Sequence, residues 1–202
     1  MLLIRHGQST WNAVGRWQGW ADPPLSALGE AQAAEAAERL AGKGLRAAVA
    51  SDLVRARRTA EIIAGALDLG PVAIEPDLRE RNVGRWSGLT RVEIQARWPE
   101  ELAAWAAGRI EATPGGEHEL AFTTRVLRAA TRLVVSDGAE GDVLVVSHGG
   151  VARALDRALG VACPPVGNLG GRWYESDGNG SLRAGDAVGL ADPVHRTRSP
   201  SA

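Results

Sequence analysis

Leu2-Leu3-Ile4-Arg5-His6-Gly7-Gln8-Ser9-Thr10-Trp11-Asn12 opens as a short apolar run and breaks at once into Arg, His and Gly. The run reads as a buried strand. The break falls where open α/β sheets bind ligands, just outside the carboxyl end of a strand. Arg beside His suits a phosphate, because the guanidinium fork matches phosphate oxygens, and Gly7 lets backbone approach closely. An isolated Arg-His-Gly is equally well a surface His after an edge strand, since three-residue motifs recur by chance. A second stretch decides between the two. Val143-Leu144-Val145-Val146-Ser147-His148-Gly149-Gly150-Val151-Ala152-Arg153 repeats the plan: a continuous apolar run, as in a buried parallel strand, then His-Gly, then a helix. Two such edges in one small domain point to two imidazoles sharing one site.

The rest of the chain supplies matching elements. Strands are expected over residues 1–5, 45–50, 71–75 and from 143. Closing strands over 172–175 and 182–188 flank the turn Asp177-Gly178-Asn179-Gly180. Helices are expected over 26–41, with Ser26 as N-cap and Gly42 and Gly44 beyond the end, and from Ser51-Asp52 to 67. Others follow over 90–108, broken at Pro99, over 120–135, closed by Asp137-Gly138, and over 149–159. The alternation argues for an α/β protein, a three-layer α/β/α sandwich with a mostly parallel central sheet. It forms one domain over 1–190, and the Pro-, Arg- and Ser-rich tail 191–202 is expected to be disordered. The turns at His6, Arg55 and His148 all follow strands, so a parallel sheet brings them to one edge. Arg57 and Arg58 read as solvent-facing partners of Glu61.

The chain has 202 residues, enough for one sizeable core, and a net charge of −1, which argues against a general binder of nucleic acid or anionic membrane. No apolar run is long enough to span a bilayer and no secretory leader is evident. The single cysteine, Cys163, has no internal partner, which fits a reducing compartment; a cytoplasmic, soluble protein is expected. The four histidines show no ligand spacing with Cys or carboxylates, so no metal and no cofactor is expected.

Together these motifs resemble the histidine phosphatase superfamily, the phosphoglycerate-mutase-like phosphatases and mutases. The resemblance runs in order through Arg5-His6-Gly7, Trp11-Asn12, Gln18-Gly19-Trp20-Ala21-Asp22 and Leu25 to Ala33. It continues through Ser51 to Glu61, Leu78 to Gly88, Pro114-Gly115-Gly116-Glu117 and Ser147-His148-Gly149-Gly150. It implies His6 as the nucleophile that becomes phosphohistidine. It implies Arg5, Arg55 and Asn12 as phosphate ligands, His148 as a further donor, and Glu80 as the acid that protonates the leaving oxygen, with Glu117 in reserve. The amides of Gly149 and Gly150 would add donors if they point inward.

Within that resemblance two branches diverge. Mutases of the glycolytic type carry a longer, basic insertion ahead of the second His; here residues 86–119 are short and Pro114-Gly115-Gly116-Glu117 is similar to the phosphatase branch. Against this, Glu80-Arg81 echoes the mutase pair, and Arg81 would bind a substrate carboxylate. The resemblance therefore implies a phosphatase on small phosphomonoesters, with a mutase as alternative; the segment 167–171 is similar to phosphatases of sugar–glycerate compounds. A non-catalytic phospho-ligand binder is disfavoured by the complete set Arg5, His6, Arg55, Glu80 and His148, and a phosphohistidine-protein phosphatase by the long 7–24 loop. Trp11, Trp17, Trp20 and Trp86 either wall the pocket or pack the loops around it. A small-molecule partner is expected, with no nucleic acid or membrane, and a homodimer left open.

Overall fold

The computed structural model describes residues 1–136 and 141–191, so the Asp137-Gly138 stop and all but Ala191 of the expected tail lie outside the described residues. Strand β1 is Leu2–Arg5, helix α1 Thr10–Ala13, helix α2 Ala27–Leu40, strand β2 Leu45–Ala50 and helix α3 Val54–Leu67. Then come strand β3 Ala73–Ile74, helices α4 Arg91–Arg97, α5 Pro99–Ala106 and α6 Glu119–Ser136, strand β4 Asp142–Ser147 and helix α7 Gly149–Ala158. Strands β5, Gly170–Ser176, and β6, Leu182–Gly189, close the sheet. Its order is β3-β2-β4-β1-β5-β6; β1 to β4 pair in parallel and β5 and β6 are antiparallel.

The continuous apolar runs follow from burial on both faces. Leu2 and Ile4 point into one core with Ala33, Ala36 and Leu40 of α2 and Ala60 and Ile63 of α3. Leu3, one residue out of phase, points into the other with Phe122 and Val126 of α6 and Val151 and Leu155 of α7. Helices therefore cover both faces of the sheet. Ala191 is buried in the first core, so the ordered chain reaches past the expected boundary at 190.

Two expected starts shift. The strand foreseen at 71–75 contracts to two residues at the sheet edge, where Pro71 brings no N–H to a ladder. The helix foreseen from Ser51-Asp52 begins at Val54; Leu53 holds the N-cap place without a side-chain bond, and the Val54 amide donates to Asp22 Oδ1 at 2.7 Å. A distant loop thus caps α3, which no local pattern encodes.

A third, smaller core lies off the sheet. Trp86, Ile94 and Leu102 are buried there against Trp17, Val83, Trp98 and Trp105. Trp17 meets Trp86 and Trp105 edge to face at 5.4 and 5.1 Å between ring centroids. This cluster fixes the loops that wall the site.

Candidate active site

The carboxyl ends of β1, β4 and β2 lie side by side, and their register sets the site. Arg5 pairs with Ser147. The His6 amide donates to Ser147 O at 2.9 Å, and the Ser51 amide donates to Val146 O at 3.0 Å. The next residue on each chain is therefore delivered to one rim. The His6 and His148 rings meet edge to face with centroids 5.2 Å apart.

Hydrogen bonds assign the His6 tautomer. Nδ1 lies 2.6 Å from Gly7 O, which only accepts, so Nδ1 carries the proton. Nε2 is left with its lone pair, facing Arg55 Nε at 3.3 Å. Burial first, then the Arg55 and Arg5 charges, hold the His6 pKa well below its ordinary value, so the ring is neutral at pH 7. Asn168 Nδ2 donates to His6 O at 2.9 Å, and Thr59 Oγ1 accepts the Gly7 amide at 3.1 Å. Gly7 is a steric necessity: a Cβ there would lie 2.4 Å from Gly29 O at the start of α2.

His148 is fully buried, and burial foremost, then Arg55 and the neighbouring His6 and Arg5, depresses its pKa in the same way. Its Nε2 is 2.9 Å from Ser51 Oγ. Ser51 Oγ also accepts the Leu53 amide at 3.3 Å. The other ring nitrogen, Nδ1, is buried and makes no hydrogen bond among the described residues.

Arg55 is buried and donates to Ala21 O at 2.8 Å and Gly19 O at 2.9 Å. Arg5 donates to Val166 O at 2.8 Å. Burial pushes both guanidinium pKa values down to about 10, against the pull of Glu80, so both keep their charge at pH 7. Glu80 comes from the loop after β3. Its Oε1 accepts the Arg81 amide at 2.8 Å, and its Oε2 accepts the Gly150 amide at 3.0 Å, at the positive end of α7. The Gly150 amide therefore holds the acid, a correction to its expected role as a phosphate donor. Arg125 braces the loop, donating to Asp77 O, Arg79 O and Glu80 O and to both Glu117 oxygens. Glu117 is thereby spent on Arg125 and the Asn82 amide, and it is not among the cavity's lining residues, which removes it as reserve acid.

These groups open on a cavity of about 300 Å³ lined by Arg5, His6, Asn12, Arg55, Glu80 and Gly149, among others. His148 is not among the lining residues; its ring packs edge to face on that of His6. Asn12 Oδ1 accepts the Ser9 amide in a capping box that presents this side chain from α1. Arg81 reaches the cavity, but each of its guanidinium nitrogens already donates, to Glu117 O at 3.0 Å, Glu119 and Glu111 O. The expected carboxylate ligand is thus committed to holding Glu119. Of the four tryptophans weighed as a wall, Trp17 lines the cavity. Trp86 is fully buried in the off-sheet core, and Trp20 holds Glu80 O through Nε1 at 2.8 Å. Trp105, Glu119, Arg153 and Arg157 also line it and were not anticipated. For the two arginines the signal is their helical spacing with Gly149, at 149, 153 and 157. His118 is exposed, 3.0 Å from Glu111.

A family model described as the histidine phosphatase superfamily (branch 1) matches residues 1–166. A glucosyl-3-phosphoglycerate phosphatase of Mycolicibacterium vanbaalenii is 36% identical, over 95% of this chain and 89% of that protein. A 2,3-bisphosphoglycerate-dependent phosphoglycerate mutase of a Methylobacterium species is 39% identical, over 79% of each. Among solved structures, a mycobacterial glucosyl-3-phosphoglycerate phosphatase complexed with VO3 superposes with a TM-score of 0.78 at 32% identity, covering 92% of this chain and 97% of that one.

Proposed function

The chain belongs to the histidine phosphatase superfamily, branch 1, and is a phosphatase; on that premise we propose that it hydrolyses small phosphomonoesters through a phosphohistidine on His6. The observation that carries the reading is the unprotonated His6 Nε2 beside the Arg55 guanidinium. A neutral imidazole whose Nε2 carries no proton can attack phosphorus, and the Arg55 Nε–H that now donates to it is placed for the incoming phosphoryl group.

In the first step Nε2 attacks phosphorus, the N–P bond forms and the P–O ester bond breaks. Glu80, protonated, gives its proton to the departing oxygen, a contribution of roughly a hundred- to ten-thousandfold. Arg5, Arg55 and Asn12 take the phosphoryl oxygens, and His148, edge to face against the nucleophile, holds its ring in place; one such donor is worth on the order of a hundred- to a thousandfold. In the second step Glu80 accepts a proton from water, water oxygen attacks phosphorus, and the N–P bond breaks to return neutral His6 and inorganic phosphate.

Substrates of the sugar-phosphate or phosphoglycerate type fit the long match to glucosyl-3-phosphoglycerate phosphatases, 95% of this chain against 79% for the mutase. Trp17 and Trp105 offer an aromatic wall that suits a sugar ring. The lone free Cys163 fits a cytoplasmic setting.

The second reading, a mutase, rests on the identity with phosphoglycerate mutases. One incubation separates the two. With 3-phosphoglycerate and other phosphorylated sugars and glycerates, release of inorganic phosphate that is lost in His6→Ala supports the hydrolase. Conversion of 3-phosphoglycerate to its 2-isomer without phosphate release overturns it.

A further inference from the structure

The cavity carries more positive charge than a phosphomonoester needs. Six arginines (Arg5, Arg16, Arg55, Arg81, Arg153 and Arg157) and two glutamates (Glu80 and Glu119) line it, a net +4 in a chain whose overall charge is −1. Most of these cations have partners. Arg16 pairs with Glu93 at 3.0 Å, Arg157 with Glu119 at 2.7 Å, and Arg81 with the other oxygen of Glu119. Arg5 and Arg55 flank His6 and answer to the phosphoryl group. Arg153 alone of the six makes no hydrogen bond or ion pair among the described residues.

Its position says what it faces. Gly149, Arg153 and Arg157 fall at intervals of four on α7, so they share the helix face that lines the cavity. Arg153 is one turn, about 6 Å of helix rise, beyond Gly149. An added Cβ at Gly149 would have Arg5 Cδ at 3.5 Å and Arg153 Nη1 at 3.7 Å, so the two side chains lie together over that glycine. Arg153 is half-buried. A half-buried guanidinium beside another one, with no counter-ion, is repelled unless an anion arrives. Arg5 and Arg55 answer the two charges of a phosphate dianion, and Arg153 is a third guanidinium beside them. A carboxylate next to the phosphate would meet that third cation, and the guanidinium fork matches it with two parallel hydrogen bonds.

We propose that Arg153 is a specificity-determining residue that binds a carboxylate of the substrate, so that the enzyme prefers phosphomonoesters bearing a carboxylate near the phosphate. The assignment deepens the phosphomonoesterase reading and rests on it. It also moves the carboxylate role from Arg81, whose nitrogens are engaged, to the cation that has no partner.

The probes are 3-phosphoglycerate and glycerol 3-phosphate, which differ by a carboxylate in place of a hydroxymethyl group. Their affinities are measured by tryptophan fluorescence or calorimetry on the full chain carrying His6→Ala, where no turnover intervenes. The expected result is that 3-phosphoglycerate binds about ten- to a hundredfold more tightly, the range of one charge-assisted pair. Adding Arg153→Gln brings the two ligands within about twofold by weakening 3-phosphoglycerate alone, and Arg153→Lys keeps part of the preference. Three results overturn the assignment: equal affinities before the second substitution, including no binding of 3-phosphoglycerate at millimolar concentration; a preference that survives Arg153→Gln; or an equal loss on both ligands, which would make Arg153 a phosphate ligand. Phosphate release by the unsubstituted protein is read separately. Preference without release leaves Arg153 its role and removes the hydrolase reading; release without preference does the reverse.

Discussion

At His6 two neighbours decide what the side chain can do. Gly7 O takes the Nδ1 proton and Arg55 faces Nε2, so one nitrogen is a fixed donor and the other an acceptor with no proton to lose. The acid is held with similar economy, by the Arg81 and Gly150 amides. Gly150 is therefore a positioning residue that local sequence disguises as a helix-starting glycine. A Cβ there would stand 2.0 Å from Glu80 Oε1. Gly150→Ala is expected to keep or slightly raise the melting temperature, because Ala favours the helix and only a side-chain end must move. It is expected to lower kcat about ten- to a hundredfold by displacing the acid. Steady-state kinetics and a thermal melt check the split; an unchanged kcat would mean that Glu80 needs no such support. Residue identity in the sequence reached His6, Arg5, Arg55, Glu80 and His148, because each lies in a motif next to a strand end or in a marked loop. It did not reach Asn168, Thr59 or Ser51, which orient the site through hydrogen bonds that only the register creates. Nor did it show that the Arg81 side chain is spent on its own neighbours.

Among the elements, α6 matters to chemistry although it stands outside the catalytic motifs. Arg125, on its inner face, gathers three carbonyls of the 77–80 loop and the Glu117 carboxylate. Arg125→Met removes these donors while keeping much of the apolar stem. The expected cost is about 1–3 kcal/mol, from carbonyls and a carboxylate left without their donor, together with a fall in kcat as Glu80 loosens. Urea unfolding measured beside kinetics tests this, and loss of stability with an unaltered kcat would separate the brace from the acid. The helices and strands themselves were legible from period and punctuation: Ser26 caps α2 as expected, and Pro99 separates α4 from α5. The start of α3 was not, since its capping carboxylate, Asp22, lies 32 residues earlier. Nor was the fate of Trp86, because burial in an off-sheet cluster depends on where α4 and α5 dock.

For the whole molecule, the sandwich buries two neutral imidazoles at its most polar rim, and that has a pH signature. Folded His6 and His148 protonate only well below the ordinary histidine value, whereas in the unfolded chain they protonate near pH 6.5. Above that value both states are neutral and the two groups cost nothing. As pH falls below it the unfolded state gains protons that the native state refuses, so stability declines until the folded pKa values are reached. Melting temperature should therefore be level from pH 8 to 7 and decrease steadily below about 6.5, and a chain with His148→Gln should decrease less steeply. An acid limb of equal slope in that variant would assign the loss to other groups. The three-layer plan itself followed from alternation of runs and helices. The concentration of six arginines in one cavity of a nearly neutral chain did not, because net charge carries no positional information.

Trapping the covalent intermediate tests His6 as phosphoryl acceptor more directly than any other measurement. The protein is mixed with a radiolabelled phosphomonoester, quenched within milliseconds in denaturant at alkaline pH, digested and mapped by mass. The expected result is an acid-labile, alkali-stable phosphate on the peptide containing His6, bonded at Nε2 and missing in His6→Ala. Label on a different residue, or phosphate release at full rate from His6→Ala, would contradict it.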